Sequence, residues 1–383
     1  MPPYITSYFV FAAVTPYLSL LIRGLGYSPA VVGMLLGVFE GAGIAGPFIF
    51  GYFADRWGRY KPGLILVYLL VIAGAAPLTF LTHPVLSAVF LAILAIGFRS
   101  SLPLLDAITT INLGKGGNYG KIRTAGSVSF IVFVLFLQLT PILRPNTSAH
   151  ISLWIGVTSA LALLSMSFIP AARAVTSASR HKASSPDGGY IRRGKGRLWS
   201  PLLVLGLVIM FLNRIAMTPV YTFFPLYLVE SLHWDAVGLM FALGSASEVP
   251  VMYISHRLIR RFGPLPLLTF SAAAVGIRLG IYALFPFKGA VIAAQLLHSL
   301  CFGLFHPSAV AFITDCVPPE RRALGITLYL SLGSGLPSLV GNCIGGFIVD
   351  FVGYQALFSV FTVFPFIALG LYLAVELTKR NMA

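Results

Sequence analysis

Residues 30–82 read AVVGMLLGVFEGAGIAGPFIFGYFADRWGRYKPGLILVYLLVIAGAAPLTFLT, and this stretch decides the fold class. It holds two apolar runs, 30–53 and 62–82, joined by a short loop that carries Arg56, Arg59 and Lys61. Each run reaches the ~20 residues that a helix needs to cross a bilayer. In lipid only helices and closed barrels satisfy every backbone polar group. Barrel strands would alternate over roughly ten residues, and these runs are continuously apolar. The same pattern extends outward, with apolar runs at 4–23, 85–111, 121–143, 149–170, 201–229, 234–258, 264–285, 288–316, 322–349 and 354–377. The expectation is an all-α membrane protein of twelve transmembrane helices.

Composition agrees. Hydrophobic residues make up 57% of the 383 residues and charged residues 10%, where a soluble domain carries about 25% charged residues. Lipid is therefore the solvent for most of this surface. A net charge of +15 would suit nucleic acid. The cations, however, sit in short clusters between apolar runs, the pattern of cytoplasmic loops, so no nucleic-acid partner is expected. Cys301, Cys316 and Cys343 lie in apolar segments without metal or disulfide spacing and read as small apolar residues. No metal and no cofactor are expected. The first run has no basic n-region and no small-residue cleavage site, so it reads as a spanning helix.

Charge also orients the chain. With both termini cytoplasmic, 20 of the 26 cations fall in cytoplasmic loops and the tail, while Arg23, Arg144 and Lys288 fall on the other side. The stretch 171–200 holds Arg173, Arg180, Lys182, Arg192, Arg193, Lys195 and Arg197 against one acid, Asp187. It reads as a basic cytoplasmic linker. It separates an N-terminal half, 1–170, from a C-terminal half, 201–383, each with six helices. The halves repeat at an offset of 205 residues: Gly33 matches Gly238, Arg56-Trp57-Gly58 matches Arg261-Phe262-Gly263, and Gly120 matches Gly325. Pro103 and Pro307 fall within one residue of that register. Parallel six-helix repeats are a transporter architecture.

The loop Gly51-Tyr52-Phe53-Ala54-Asp55-Arg56-Trp57-Gly58-Arg59-Tyr60-Lys61 resembles the G-x-x-x-D-R-x-G-R-[KR] signature of the major facilitator superfamily, with one extra residue before Lys61. The physics suits the place: Gly51 and Gly58 permit close packing and a tight turn, and Asp55 can cap a helix end or pair with cations. The resemblance implies that Asp55, Arg56, Gly58 and Arg59 latch one conformational state. Further runs resemble the phenylpropionate permease family, relatives of oligosaccharide and nucleoside proton symporters. They are Leu105-Asp106-Ala107, Tyr119-Gly120-Lys121-Ile122-Arg123, Ala246-Ser247-Glu248-Val249-Pro250, Gln295-Leu296-Leu297-His298 and Phe302-Gly303-Leu304-Phe305-His306. The likeness spans nearly the whole chain except the linker. It implies the major facilitator fold and transport of an aromatic acid, a sugar or a nucleoside.

Ionisable groups inside the membrane mark candidate sites, because each costs at least ~2.5–3.5 kcal/mol at the bilayer centre. Glu40 and Glu248 each place a carboxylate at similar depth in the two halves. A carboxylate withdrawn from water holds its proton more tightly, which proton loading near neutral pH requires. Arg278 and His298 resemble the arginine–histidine pair of the lactose permease, where the arginine assists deprotonation of a carboxylate one turn beyond the histidine. Here that position is Cys301, and Glu248 is the candidate for the missing acid. Arg99 can pair with Glu40 or bind a substrate carboxylate. Asp106 is expected to pair with Arg123 or Lys121 near the inner end, in a gating role.

Arg214 is read as close enough to the cytoplasmic end to snorkel. Pro219 and Pro225 are expected to break their helix, as broken helices line transporter sites. Tyr17, Tyr221 and Phe224 can offer aromatic faces to a substrate, and His306 is a further candidate. The expected function is a monomeric, proton-coupled secondary transporter of a small organic solute, with an aromatic carboxylate preferred over a sugar or nucleoside. An integral-membrane enzyme would need a catalytic cluster near one membrane face, and the sequence offers none; a lipid or drug exporter on the same scaffold is the other alternative.

Overall fold

The computed structural model describes residues 1–113, 119–140, 142–144, 147–169, 199–318 and 321–381. The expected basic linker up to residue 198, with its seven cations, lies outside the described residues, as does Lys115. Among the described residues eleven helices are long and apolar enough to cross a membrane. They are α2 (Pro29–Trp57), α3 (Tyr60–Thr79), α4 (Pro84–Asn112), α5 (Lys121–Leu139), α6 (Ser148–Phe168), α7 (Pro201–Ser231), α8 (Val237–Phe262), α9 (Pro264–Leu284), α10 (Lys288–Cys316), α11 (Leu324–Val352) and α12 (Tyr354–Thr378). The twelfth unit, α1, comes in two pieces, Pro2–Val14 and Leu18–Arg23. Pro16 removes one backbone donor and clashes with the preceding turn, so Thr15–Tyr17 form a turn where the sequence reading had one unbroken helix.

The prolines of α7 behave differently from expectation. Pro219 and Pro225 do not break the helix. The ladder widens into π-helical turns at Pro219–Phe223 and Tyr227–Ser231, and α7 stays continuous. Similar turns occur at Ser299–Gly303 in α10 and Ser331–Gly335 in α11. A π-turn inserts one residue and reaims the side chains beside it, and such turns concentrate at functional sites.

The outer surface carries large apolar side chains such as Leu139, 76% exposed, and Phe351, 80% exposed. In water that surface would drive association; in lipid it is the solvated face. The protein is a multi-pass integral membrane protein.

The repeat recurs in the backbone. Gly58 ends α2 at φ 63° and Gly263 ends α8 at φ 81°, left-handed values that glycine adopts without a Cβ clash. The repeated pair Gly33 and Gly238 sits on the seam between the halves. A Cβ on Gly33 of α2 would stand 2.7 Å from Gly346 Cα of α11, and one on Gly238 of α8 would stand 2.8 Å from Val134 O of α5. Gly238 N also donates to Gln138 Oε1 at 2.7 Å, and Gln138 Nε2 donates to Asp235 O at 3.0 Å. At this end Arg23 Nε donates to Glu230 Oε1 at 2.6 Å, and Tyr354 OH donates to Glu230 Oε2 at 2.7 Å. These seam contacts gather at the end of the bundle where α1 passes into α2.

Candidate functional site

A cavity of about 510 Å³ lies between the halves and is lined by α1, α2, α4 and α5 on one side and α7 to α11 on the other. Its size falls within the ~300–1,000 Å³ of small-molecule sites. Of the residues singled out in the sequence, Glu40, Arg99, Arg123, Tyr221, Glu248, Arg278, His298 and His306 line it.

In the N-terminal half Arg99 Nη2 donates to Glu40 Oε1 at 2.5 Å. The guanidinium lies 5.7 Å from the Phe39 ring centroid and 5.9 Å from that of Phe98. Gly43 makes this possible, because a Cβ there would stand 2.7 Å from Arg99 Cγ. Arg99→Gln is expected to leave Glu40 without its counter-charge and to lower stability by about 1–3 kcal/mol. Adding Glu40→Gln should recover part of that loss. Thermal melts of the two single variants and the double variant in detergent measure the coupling; strict additivity would show that the pair does not interact.

In the C-terminal half three helices build one chain of groups. Glu248 of α8 accepts from His298 Nε2 of α10 at 2.7 Å. Arg278 Nη1 of α9 meets His298 Nδ1 at 2.8 Å. Arg278 is fully buried, its Nε donates to Tyr282 OH at 3.0 Å and its Nη2 donates to Gln295 Oε1. Gln295 Nε2 in turn donates to Met240 O at 2.7 Å, tying the cluster to the backbone of α8. Tyr282 is not singled out by the sequence, and Gln295 enters there only within the run Gln295-Leu296-Leu297-His298, with no role of its own. Their spacing carried the signal, since Tyr282 lies four residues from Arg278 and Gln295 three from His298, on the same helical faces.

Along α10 the rings of His298, Phe302 and His306 stack at 6.0 Å intervals. His306 Nδ1 lies 3.0 Å from Tyr329 OH. Arg214 departs from the snorkelling expectation: it lines the cavity, lies 4.7 Å over the Tyr221 ring, and donates from Nε to Ser338 Oγ at 2.9 Å.

The remaining residues sit elsewhere. Tyr17 is buried 1% exposed at the seam, where its hydroxyl crowds Gly238, and it does not line the cavity. The turn at Pro16 directs it there instead of toward a substrate. Phe224 is likewise buried, stacked 5.2 Å from Tyr282. Arg123 Nη1 donates to Asp106 Oδ2 at 2.7 Å, and Tyr4 OH donates to Asp106 Oδ1 at 2.5 Å. Asp55 falls inside the last turn of α2 and accepts from Tyr60 OH at 2.6 Å; Arg56 Nη1 donates to Tyr52 OH at 3.0 Å. Gly58 makes the turn, and Arg59 precedes α3.

The sequence matches the MFS_1 like family over residues 3–360. The chain belongs to that family. It is a major facilitator transporter of small molecules, with the fold of twelve helices in two pseudo-symmetric halves. Among its relatives, the maltose permease of Geobacillus stearothermophilus is 26% identical, over 99% of this chain and 93% of the relative. The "Probable 3-phenylpropionic acid transporter" of Escherichia coli (strain K12) is 24% identical, over 96% of this chain and 93% of the relative. A crystal structure of the nucleoside transporter NupG superposes with a TM-score of 0.77, covering 97% of each chain at 15% identity. At that identity the superposition speaks for the facilitator fold alone.

Proposed function

We propose that this facilitator is a proton-coupled symporter of a small organic anion, an aromatic carboxylate by preference, working by alternating access. The observation that carries the reading is the line Glu248, His298, Arg278 beside the cavity. A guanidinium has no acceptor, so Arg278 must donate to His298 Nδ1. That leaves the imidazole proton on Nε2, where it donates to Glu248. A second proton on His298 would set an N–H against Arg278 and pair two cations. Loading the carboxylate of Glu248 breaks neither hydrogen bond. Arg278 therefore steers the transferable proton to Glu248, and His298 relays its position.

On this reading the halves, 1–170 and 201–383 about the linker 171–200, rock around the cavity as a monomer with both termini cytoplasmic. The seam at the α1–α2 end is then the outer gate, and the cavity belongs to the inward-facing state. The Asp106–Arg123 pair and the loop Asp55–Arg59 act at the inner end, where closing brings them toward the other half. Glu230→Gln is expected to weaken the outer gate only modestly, since Arg23 and Glu230 are 34% and 30% exposed. Half-solvated pairs are worth about 0.2–1 kcal/mol, so the uptake rate should change less than about fivefold. A loss of all transport would make this pair an obligatory part of the cycle.

The test is uptake by purified protein in liposomes under an imposed pH gradient, across aromatic acids, sugars and nucleosides. Gradient-driven accumulation of an acid supports the proposal; no gradient-dependent uptake of any solute removes it. A neutral sugar is the second reading, favoured by the likeness to the maltose permease, and the same assay separates the two.

A further inference from the structure

Arg99, Arg214 and Arg278 all line the cavity, and they are not equivalent. Arg99 is neutralised by Glu40. Arg278 spends its whole fork on Tyr282, His298 and Gln295, one residue from the carboxylate of Glu248. Arg214 has only Ser338 at Nε and the Tyr221 ring beneath it. Among the described residues no carboxylate lies within ion-pair distance of it, and its two Nη groups have no hydrogen-bond partner. Yet it faces the cavity.

The charges of the cavity wall sharpen the point. The lining holds Glu40 and Glu248 against Arg99, Arg123, Arg214 and Arg278. Glu40 balances Arg99, Glu248 balances Arg278, and Asp106 behind the wall balances Arg123. One positive charge is left over, at Arg214. A half-buried cation without a counter-ion carries part of the cost of leaving water unpaired, and a ligand carrying one negative charge removes that cost. A sugar or nucleoside would leave it in place.

We propose that Arg214 is the substrate-anion anchor, taking a monocarboxylate two-pronged on its free Nη groups, with the Tyr221 ring holding the guanidinium plane in position. The planar fork matches a carboxylate bidentately. The ligand class is a monocarboxylate with an apolar, ring-bearing body, because Tyr221, Phe302, Phe39 and Phe98 surround the rest of the space. The site also connects anion to proton. Tyr221 stands between Arg214 and His298, its ring centroid 6.3 Å from the imidazole. A carboxylate held at Arg214 places its negative charge across the Tyr221 ring from His298, the partner of Glu248, and favours loading of the proton there. This assignment rests on the proposed symport for its meaning, but its test needs no gradient.

The full chain in detergent is titrated with 3-phenylpropionate and with its neutral isostere 3-phenylpropanamide, following thermal stabilisation. The unmodified protein should be stabilised by the acid at about tenfold lower concentration than by the amide. Arg214→Gln should abolish that preference by weakening acid binding alone. Arg214→Lys should keep part of it, and Arg144→Gln, exposed and away from the cavity, should keep it whole. Equal binding of acid and amide by the unmodified protein overturns the proposal, as does no stabilisation by either probe or a preference that survives Arg214→Gln. Should Arg214→Gln fail to fold, the acid–amide comparison in the unmodified chain and Arg214→Lys still decide. Failure of proton coupling would show only in the liposome assay and would leave these titrations unchanged.

Discussion

Glu248→Gln is expected to abolish concentrative uptake. The amide keeps the shape of the carboxylate, and its carbonyl can still accept from His298 Nε2, the bond now 2.7 Å long. What it loses is the ability to take up and release a proton. A pH difference of one unit supplies about 1.4 kcal/mol per proton, enough for about tenfold accumulation of an electroneutral acid–proton pair. The variant should fall to no accumulation under the same gradient. It should still exchange labelled for unlabelled solute, because exchange needs reorientation of the loaded carrier and no net proton movement. The measurement is liposome uptake with and without a gradient, alongside counterflow. Full gradient-driven accumulation by Glu248→Gln would move the proton site away from this carboxylate.

Gly33→Val and Gly346→Val are expected to stop transport without unfolding either half. A Cβ on Gly346 would stand 2.6 Å from Pro29 O and 2.9 Å from Gly33 Cα. Both neighbours are backbone, so no rotamer change can make room. Overpacking of this kind costs about 1–3 kcal/mol, which shifts a two-state equilibrium by about 5- to 150-fold. The penalty falls only on the state in which this end of the seam is closed, so the carrier should accumulate in the other state. Cys343 reports on it. Its sulfur lies in the same seam, 2.9 Å from where a Cβ on Gly37 would stand. With Cys301 and Cys316 replaced by Ala, maleimide labelling of Cys343 should speed up in Gly33→Val while uptake drops below about a tenth. Unchanged labelling, or uptake near that of the unmodified protein, would show that the seam does not open during transport.

How far the site could be read in advance follows from what each signal depends on. Glu40, Arg99, Glu248, Arg278 and His298 stood out because a charge in a long apolar run is costly at that place in the sequence. That cost does not depend on what surrounds the run. Which charges pair is a different matter, because it depends on how each helix is rotated about its axis. The sequence admits Arg99 with Glu40 and Glu248 with His298 as pairs; it does not show the open fork of Arg214, since distance from a helix end says nothing of which way the side chain turns. Tyr17 shows the opposite error. Its aromatic face invited a substrate role, but the turn at Pro16 sends it into the seam.

The sequence by itself determined the solvent, the number of crossings and the internal repeat. Each of these is a property of a run or of a fixed offset along the chain. Residues 30–82 already showed two crossings and the loop between them, and both later stood as α2 and α3. It could not determine that α1 is broken, that α7 is widened instead of broken at its prolines, or which arginine is left uncompensated. Those depend on backbone adjustments within single turns and on contacts between helices far apart in the chain. They were decided only when the two halves packed face to face and enclosed their charges in one cavity.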